Sequence, residues 1–70
     1  MNREKIENEI KELNAFRARY KRDFNEIEKR YYKKEISDKT FEKQKQKYES
    51  KMEKIRGKIR KLEEELKAQI

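Results

Sequence analysis

Residues 35–43, EISDKTFEK, are the stretch whose reading decides the fold. On either side the chain reads as uninterrupted charged helix. Either these residues bend the chain back on itself, or one long helix runs straight through them. Apolar residues spaced alternately by three and four flank the stretch. Before it they are Ile6, Ile10, Leu13, Tyr20, Phe24, Ile27 and Tyr31. After it they are Phe41, Tyr48, Met52, Ile55, Ile59, Leu62 and Leu66. This is the 3.5-residue period of a coiled-coil seam. Arg17 and Lys45 interrupt it, one in each half, and Phe16 and Tyr32 are the bulky residues that lie off it.

The heptad phase is the same in both halves, so the period alone permits either architecture. A continuous helix would be roughly 100 Å long at about 1.5 Å per residue, paired with a second copy. Local chemistry favours the bend. A straight helix would put Lys34 and Asp38 in successive core layers, where charged side chains are costly. Ser37 is a good helix N-cap, because its side-chain oxygen can accept from an unpaired amide of the next turn. With Ser37 as cap, Ile36 and Phe41 fall at the spacing of a hydrophobic staple. Asp38 then meets the positive end of the second helix dipole, and Lys33 and Lys34 the negative end of the first. No glycine marks the end of the first helix, which leaves its stop weaker than it could be. The expected fold is all-α, an antiparallel two-helix coiled-coil hairpin. Helix 1 is expected over about 2–34, the turn over about 35–37 and helix 2 over about 38–69. The alternative is one continuous helix in a coiled-coil dimer.

Folding about residue 36 pairs seam positions whose numbers sum to about 72. Tyr31 should meet Phe41, Phe24 should meet Tyr48, and Leu13 should meet Ile59. Arg17 and Lys45 would each face an aliphatic residue and extend their charges toward water. Between the helices the flanking charges give little help, since Asp23 with Lys51 and Lys21 with Glu49 are favourable while Glu28 with Glu42 and Glu7 with Glu63 repel. Within them Glu7, Glu26, Glu35 and Glu63 each stand four residues before a Lys or Arg, a pairing that supports a helix by about 0.2–0.5 kcal/mol.

The residues Ile36, Ser37, Phe41, Glu42, Lys43 and Lys45 resemble the turn of the SHOCT family of short helical hairpins. That pattern is a helix, a turn ending in Ile-Ser or Ile-Thr, and a helix opening with Phe-Glu and lysines. The resemblance covers about a dozen residues. Where the family usually has glycine before the isoleucine, this chain has Lys34-Glu35. It implies a hairpin used for tethering or self-association, and it brings no catalytic residues.

Composition narrows the function. Charged residues make up 53% of the 70 and apolar ones 31%, a mixture found in long solvated helices and in disordered chains. The absence of proline, the single glycine and the sustained period favour helix. Histidine and cysteine are absent, which removes the commonest general bases, nucleophiles and transition-metal ligands. Gly57 stands alone between Arg56 and Lys58, so no phosphate-cradling loop is present. A two-helix hairpin offers no enclosed pocket either. The expectation is a non-enzymatic protein with no cofactor, no metal and no small-molecule substrate. No apolar run exceeds two residues, which predicts no membrane span and a cytoplasmic setting.

Two classes of partner then follow. A thin seam buries little surface, so a second copy or another helical protein is expected, with Phe16, Tyr32, Ile36 and the chain-terminal Ile70 as contacts. Gly57, roughly level with Phe16 in the hairpin, either allows close approach of that partner or is a tolerated surface glycine. The alternative rests on charge. The total is +7, distributed as −1 over residues 1–16, +4 over 17–35, +6 over 36–61 and −2 over 62–70. A hairpin therefore has a nearly balanced base and a basic arm, a shape that attracts phosphates. Arg19, Arg22, Lys29, Lys33, Lys47, Lys51, Lys54 and Lys58 are the candidate phosphate contacts of a nucleic-acid-binding arm. Tyr32, off the seam, is free to stack on a base.

Overall fold

Two helices account for nearly all of the chain. The computed structural model describes residues 2–69, in which α1 spans Arg3–Tyr32 and α2 spans Asp38–Ala68. The longest dimension is 52 Å, about one helix of this length and half of what a continuous helix would need. The chain is a helical hairpin, and the continuous-helix alternative is not adopted.

Each helix begins on a side-chain cap. Asn2 Oδ1 accepts from the Lys5 amide at 2.9 Å, and Ser37 Oγ accepts from the Thr40 amide at 3.1 Å. Ser37 is thus the N-cap its sequence context implies. Ile36 and Phe41, at the staple spacing, are both half-buried. Ile70 and Met1 lie outside the described residues, so the expectation of a contact at Ile70 is not addressed.

The end of α1 differs from expectation. The helix stops at Tyr32 rather than near residue 34, and the turn begins at Lys33. The cause is Lys34, which takes a left-handed φ of 63°. That conformation lets the Lys34 amide donate to the Tyr31 carbonyl and the Glu35 amide to the Arg30 carbonyl, each at 2.9 Å. These two bonds form a Schellman motif, which satisfies carbonyls that the helix end would leave unpaired. A lysine here does what a glycine does more easily.

The registration follows the pairing about residue 36. Tyr31 stacks on Phe41 with ring centroids 4.1 Å apart, and Phe24 stacks on Tyr48 at 4.6 Å. Phe24 also reaches Phe41 at 5.9 Å. Four rings thus form one ladder that crosses the seam three times, each contact adding about 0.5–1.5 kcal/mol beyond buried area. Toward the chain termini the seam is aliphatic. The buried side chains among the described residues are Ile6, Met52, Ile55, Ile59 and Leu62, of which Ile6 alone is fully covered. Four of these five belong to α2, while Ile10, Leu13, Tyr20, Phe24, Ile27 and Tyr31 of α1 are only half-buried.

Charged neighbours contribute less than the spacing predicts. Glu7 pairs with Arg3 at 3.0 Å and Glu26 with Lys29 at 3.4 Å, not with the residues four positions on. Both pairs are exposed, and such pairs contribute about 0–1 kcal/mol. Among the described residues no ion pair crosses between the helices. Arg17 is half-buried, and its guanidinium turns out to Asn14 Oδ1 at 3.3 Å. Lys45 is exposed.

Gly57 has open space where a Cβ would project, with nothing within 4 Å. No close approach within the hairpin requires a glycine there. Gly57→Ala is expected to stabilise the hairpin by about 0.8–1.0 kcal/mol, read as a higher urea midpoint at unchanged slope.

Candidate interaction surfaces

The hairpin has two long sides, and they differ in chemistry. On one side a groove follows the line between the helices. Near the termini its floor is Leu13, Phe16 and Leu62, and near the turn it is Phe24, Ile27 and Tyr48. Its α1 wall carries Glu9, Glu12 and Asp23, and its α2 wall carries Lys47, Lys51, Lys58 and Lys61. The other side is polar, with Arg17, Arg56, Arg60 and Glu63 around the edge of Ile59. Gly57 lies with Glu49, Glu53, Arg56 and Arg60, away from the Phe16 groove.

Phe16 is half-buried on the groove side. Its ring stacks on Tyr20 at 6.5 Å, and the Arg19 guanidinium lies 5.7 Å from its centroid. Lys51 Nζ lies 5.0 Å over the Tyr20 ring. These cation–π contacts hold two of the candidate phosphate-binding side chains along the hairpin surface. Lys51 thereby meets Tyr20 rather than forming an ion pair with Asp23.

The remaining candidate contacts are elsewhere. Tyr32 is 76% exposed and touches only the edge of the ladder, its ring tilted 55° to Tyr31 at 5.7 Å. Ile36 is half-buried in the turn. Phe16 therefore stands apart from the Tyr32 and Ile36 pair at the tip.

The eight candidate phosphate contacts are all exposed. Lys47, Lys51, Lys54 and Lys58 recur at spacings of four, three and four along α2, which places them on one row of the helix. Lys61 extends that row by three residues, and its spacing was available to find it. Arg19 stands across the groove. Arg22 and Lys29, seven residues apart on α1, form a separate row, and Lys33 sits in the turn. The structure therefore gathers half of the eight into one line and spreads the rest.

A tie across the turn was not foreseen. The Tyr31 hydroxyl donates to Asp38 Oδ1 at 2.7 Å. That hydrogen bond, and then the negative charge of Asp38, raise the Tyr31 pKa above its ordinary value. A raised pKa means that the folded chain holds this proton more tightly than the unfolded one. The stabilisation is complete below the unfolded pKa of about 10 and is lost as pH rises through the folded pKa. Urea unfolding between pH 8 and pH 11 should show the native chain losing its advantage over Tyr31→Phe as the solution becomes alkaline. An advantage independent of pH would show that this bond does not act on stability.

Among the described residues, no group of three or more carboxylates is placed to hold a metal ion. No helix there is long and apolar enough to cross a membrane. No family model, curated protein or solved structure matches the chain.

Proposed function

We propose that the hairpin is a non-enzymatic interaction module that acts by self-association or by docking another helical protein. The observation that supports this most is the half-buried seam of α1 beside the groove floored by Leu13, Phe16 and Leu62. One opposing helix leaves the α1 seam side chains beyond Ile6 only half-buried. Covering an apolar side chain completely is worth about 1.5–3 kcal/mol, so a second layer over this groove adds stability that the lone hairpin lacks. The likeness of the turn to SHOCT hairpins points the same way. With 53% charged residues, the surface suits an aqueous, cytoplasmic setting. Sedimentation velocity from 1 to 100 µM tests self-association, with a concentration-dependent shift to a larger species expected. A folded monomer throughout would leave only a different protein as partner.

A second reading is favoured by the Lys47, Lys51, Lys54, Lys58 and Lys61 row, which spans about 21 Å of helix. Such a row can follow a nucleic-acid backbone, and its affinity would fall steeply with salt as counterions are released. Mobility shift with duplex DNA and structured RNA at 50 and 200 mM salt tests it. No shift at the lower salt would remove this reading.

A further inference from the structure

The geometry points to a dimer of this chain in which two hairpins meet groove to groove, with both turns at the same end. This rests on the self-association reading above and specifies its face and its symmetry. Closed dimers are two-fold symmetric, so the same patch serves both copies. Face-to-face pairing leaves two choices of axis. An axis along the hairpin sets α1 of each copy against α2 of the other, at matching heights. An axis across the hairpin sets α1 against α1 and α2 against α2, with the turns at opposite ends.

The groove walls choose between them. The α1 wall presents Glu9, Glu12, Asp23 and Glu26 at helical spacing, with Arg19 among them and Arg30 beyond them toward the turn. The α2 wall presents the five-lysine row. With the axis along the hairpin, a largely acidic row faces a basic row twice. Glu9 and Glu12 would oppose the partner's Lys58 and Lys61, and Asp23 the partner's Lys47 and Lys51, because these groups already share a height within one hairpin. With the axis across, lysines face lysines, a juxtaposition that penalises the wrong arrangement.

The whole-molecule charge opposes this choice, since it would place both basic arms side by side. That opposition acts over a longer range and is screened beyond about 8 Å at physiological salt. The facing rows would be at contact, so they decide. The same axis also sets the Leu13, Phe16 and Leu62 floor against its own copy, and the Phe24, Ile27 and Tyr48 floor against its own copy. The result is a four-helix bundle in which every helix is antiparallel to its neighbours.

Two measurements on the full chain test this. The sequence has no cysteine, so Lys39→Cys, exposed beside the turn, gives a single spin label per copy. An interchain distance under about 30 Å is expected, against well over 40 Å if the turns lie at opposite ends. Lys58→Glu with Lys61→Glu should weaken dimerisation at least tenfold, and adding Glu9→Lys and Glu12→Lys should restore it. Circular dichroism confirms that each variant remains helical. A long label distance, or tighter dimers from the Lys58 and Lys61 changes, would overturn the arrangement while leaving self-association intact. A folded monomer at 100 µM would overturn both.

Discussion

Phe24→Ala is expected to cost the hairpin about 3 kcal/mol. Phe24 touches two rings across the seam, Tyr48 at 4.6 Å and Phe41 at 5.9 Å. Removing a fully buried phenyl costs about 3–5 kcal/mol. Phe24 is half-buried, which reduces that, while two lost ring contacts at about 0.5–1.5 kcal/mol each restore part of it. A loss of this size is a large share of the total for a 70-residue chain, since stabilities run at about 0.05–0.15 kcal/mol per residue. Chemical denaturation followed by circular dichroism at 25 °C should show a much lower midpoint and a shortened folded baseline. Phe24→Leu keeps the apolar volume and gives up the stacking, so it should cost only about 1–1.5 kcal/mol. If the two variants lose equally, the ladder contributes through volume alone and the ring geometry is incidental.

Lys34 should respond in opposite directions to two substitutions. Lys34→Gly is expected to stabilise by about 1 kcal/mol, because a left-handed conformation that strains lysine costs glycine nothing sterically. Lys34→Pro is expected to destabilise by about 3 kcal/mol or more. Proline fixes φ near −65°, whereas this position has a φ of 63°, and it removes the amide that donates to Tyr31 at 2.9 Å. Proline also disfavours helical backbone in the residue before it, here the cap residue Lys33. Denaturation midpoints of the three chains should fall in the order Gly, Lys, Pro. Equal midpoints for Gly and Lys would mean that the left-handed turn carries no strain.

How much of this was legible beforehand depended on how local each cause is. The seam could be read because helical spacing is set by backbone geometry alone. Ser37 could be read as a cap because its partner lies three residues away, and the sum of 72 followed from placing the bend. The Tyr31–Phe41 and Phe24–Tyr48 pairs then came without further information. Lys34 misled because left-handed backbone is associated with glycine, and the two hydrogen bonds that outweigh its strain need the whole turn in place. The Tyr31–Asp38 bond was hidden for a related reason, since seven residues separate the partners and only the finished turn brings them together. Of the surface, the lysine row was half-visible from its spacing. The groove was not, because Phe16 reads only as an off-seam residue until the second helix supplies Leu62, Lys58 and Lys61 beside it.

The uneven distribution of ring side chains along the hairpin has an experimental consequence. All four tyrosines, at 20, 31, 32 and 48, stand in the half nearer the turn, and the chain has no tryptophan. Ultraviolet absorbance near 280 nm therefore watches one half alone, while the backbone signal at 222 nm watches both. Unzipping that starts from the end away from the turn would separate the two melting curves, and a single concerted transition would superimpose them.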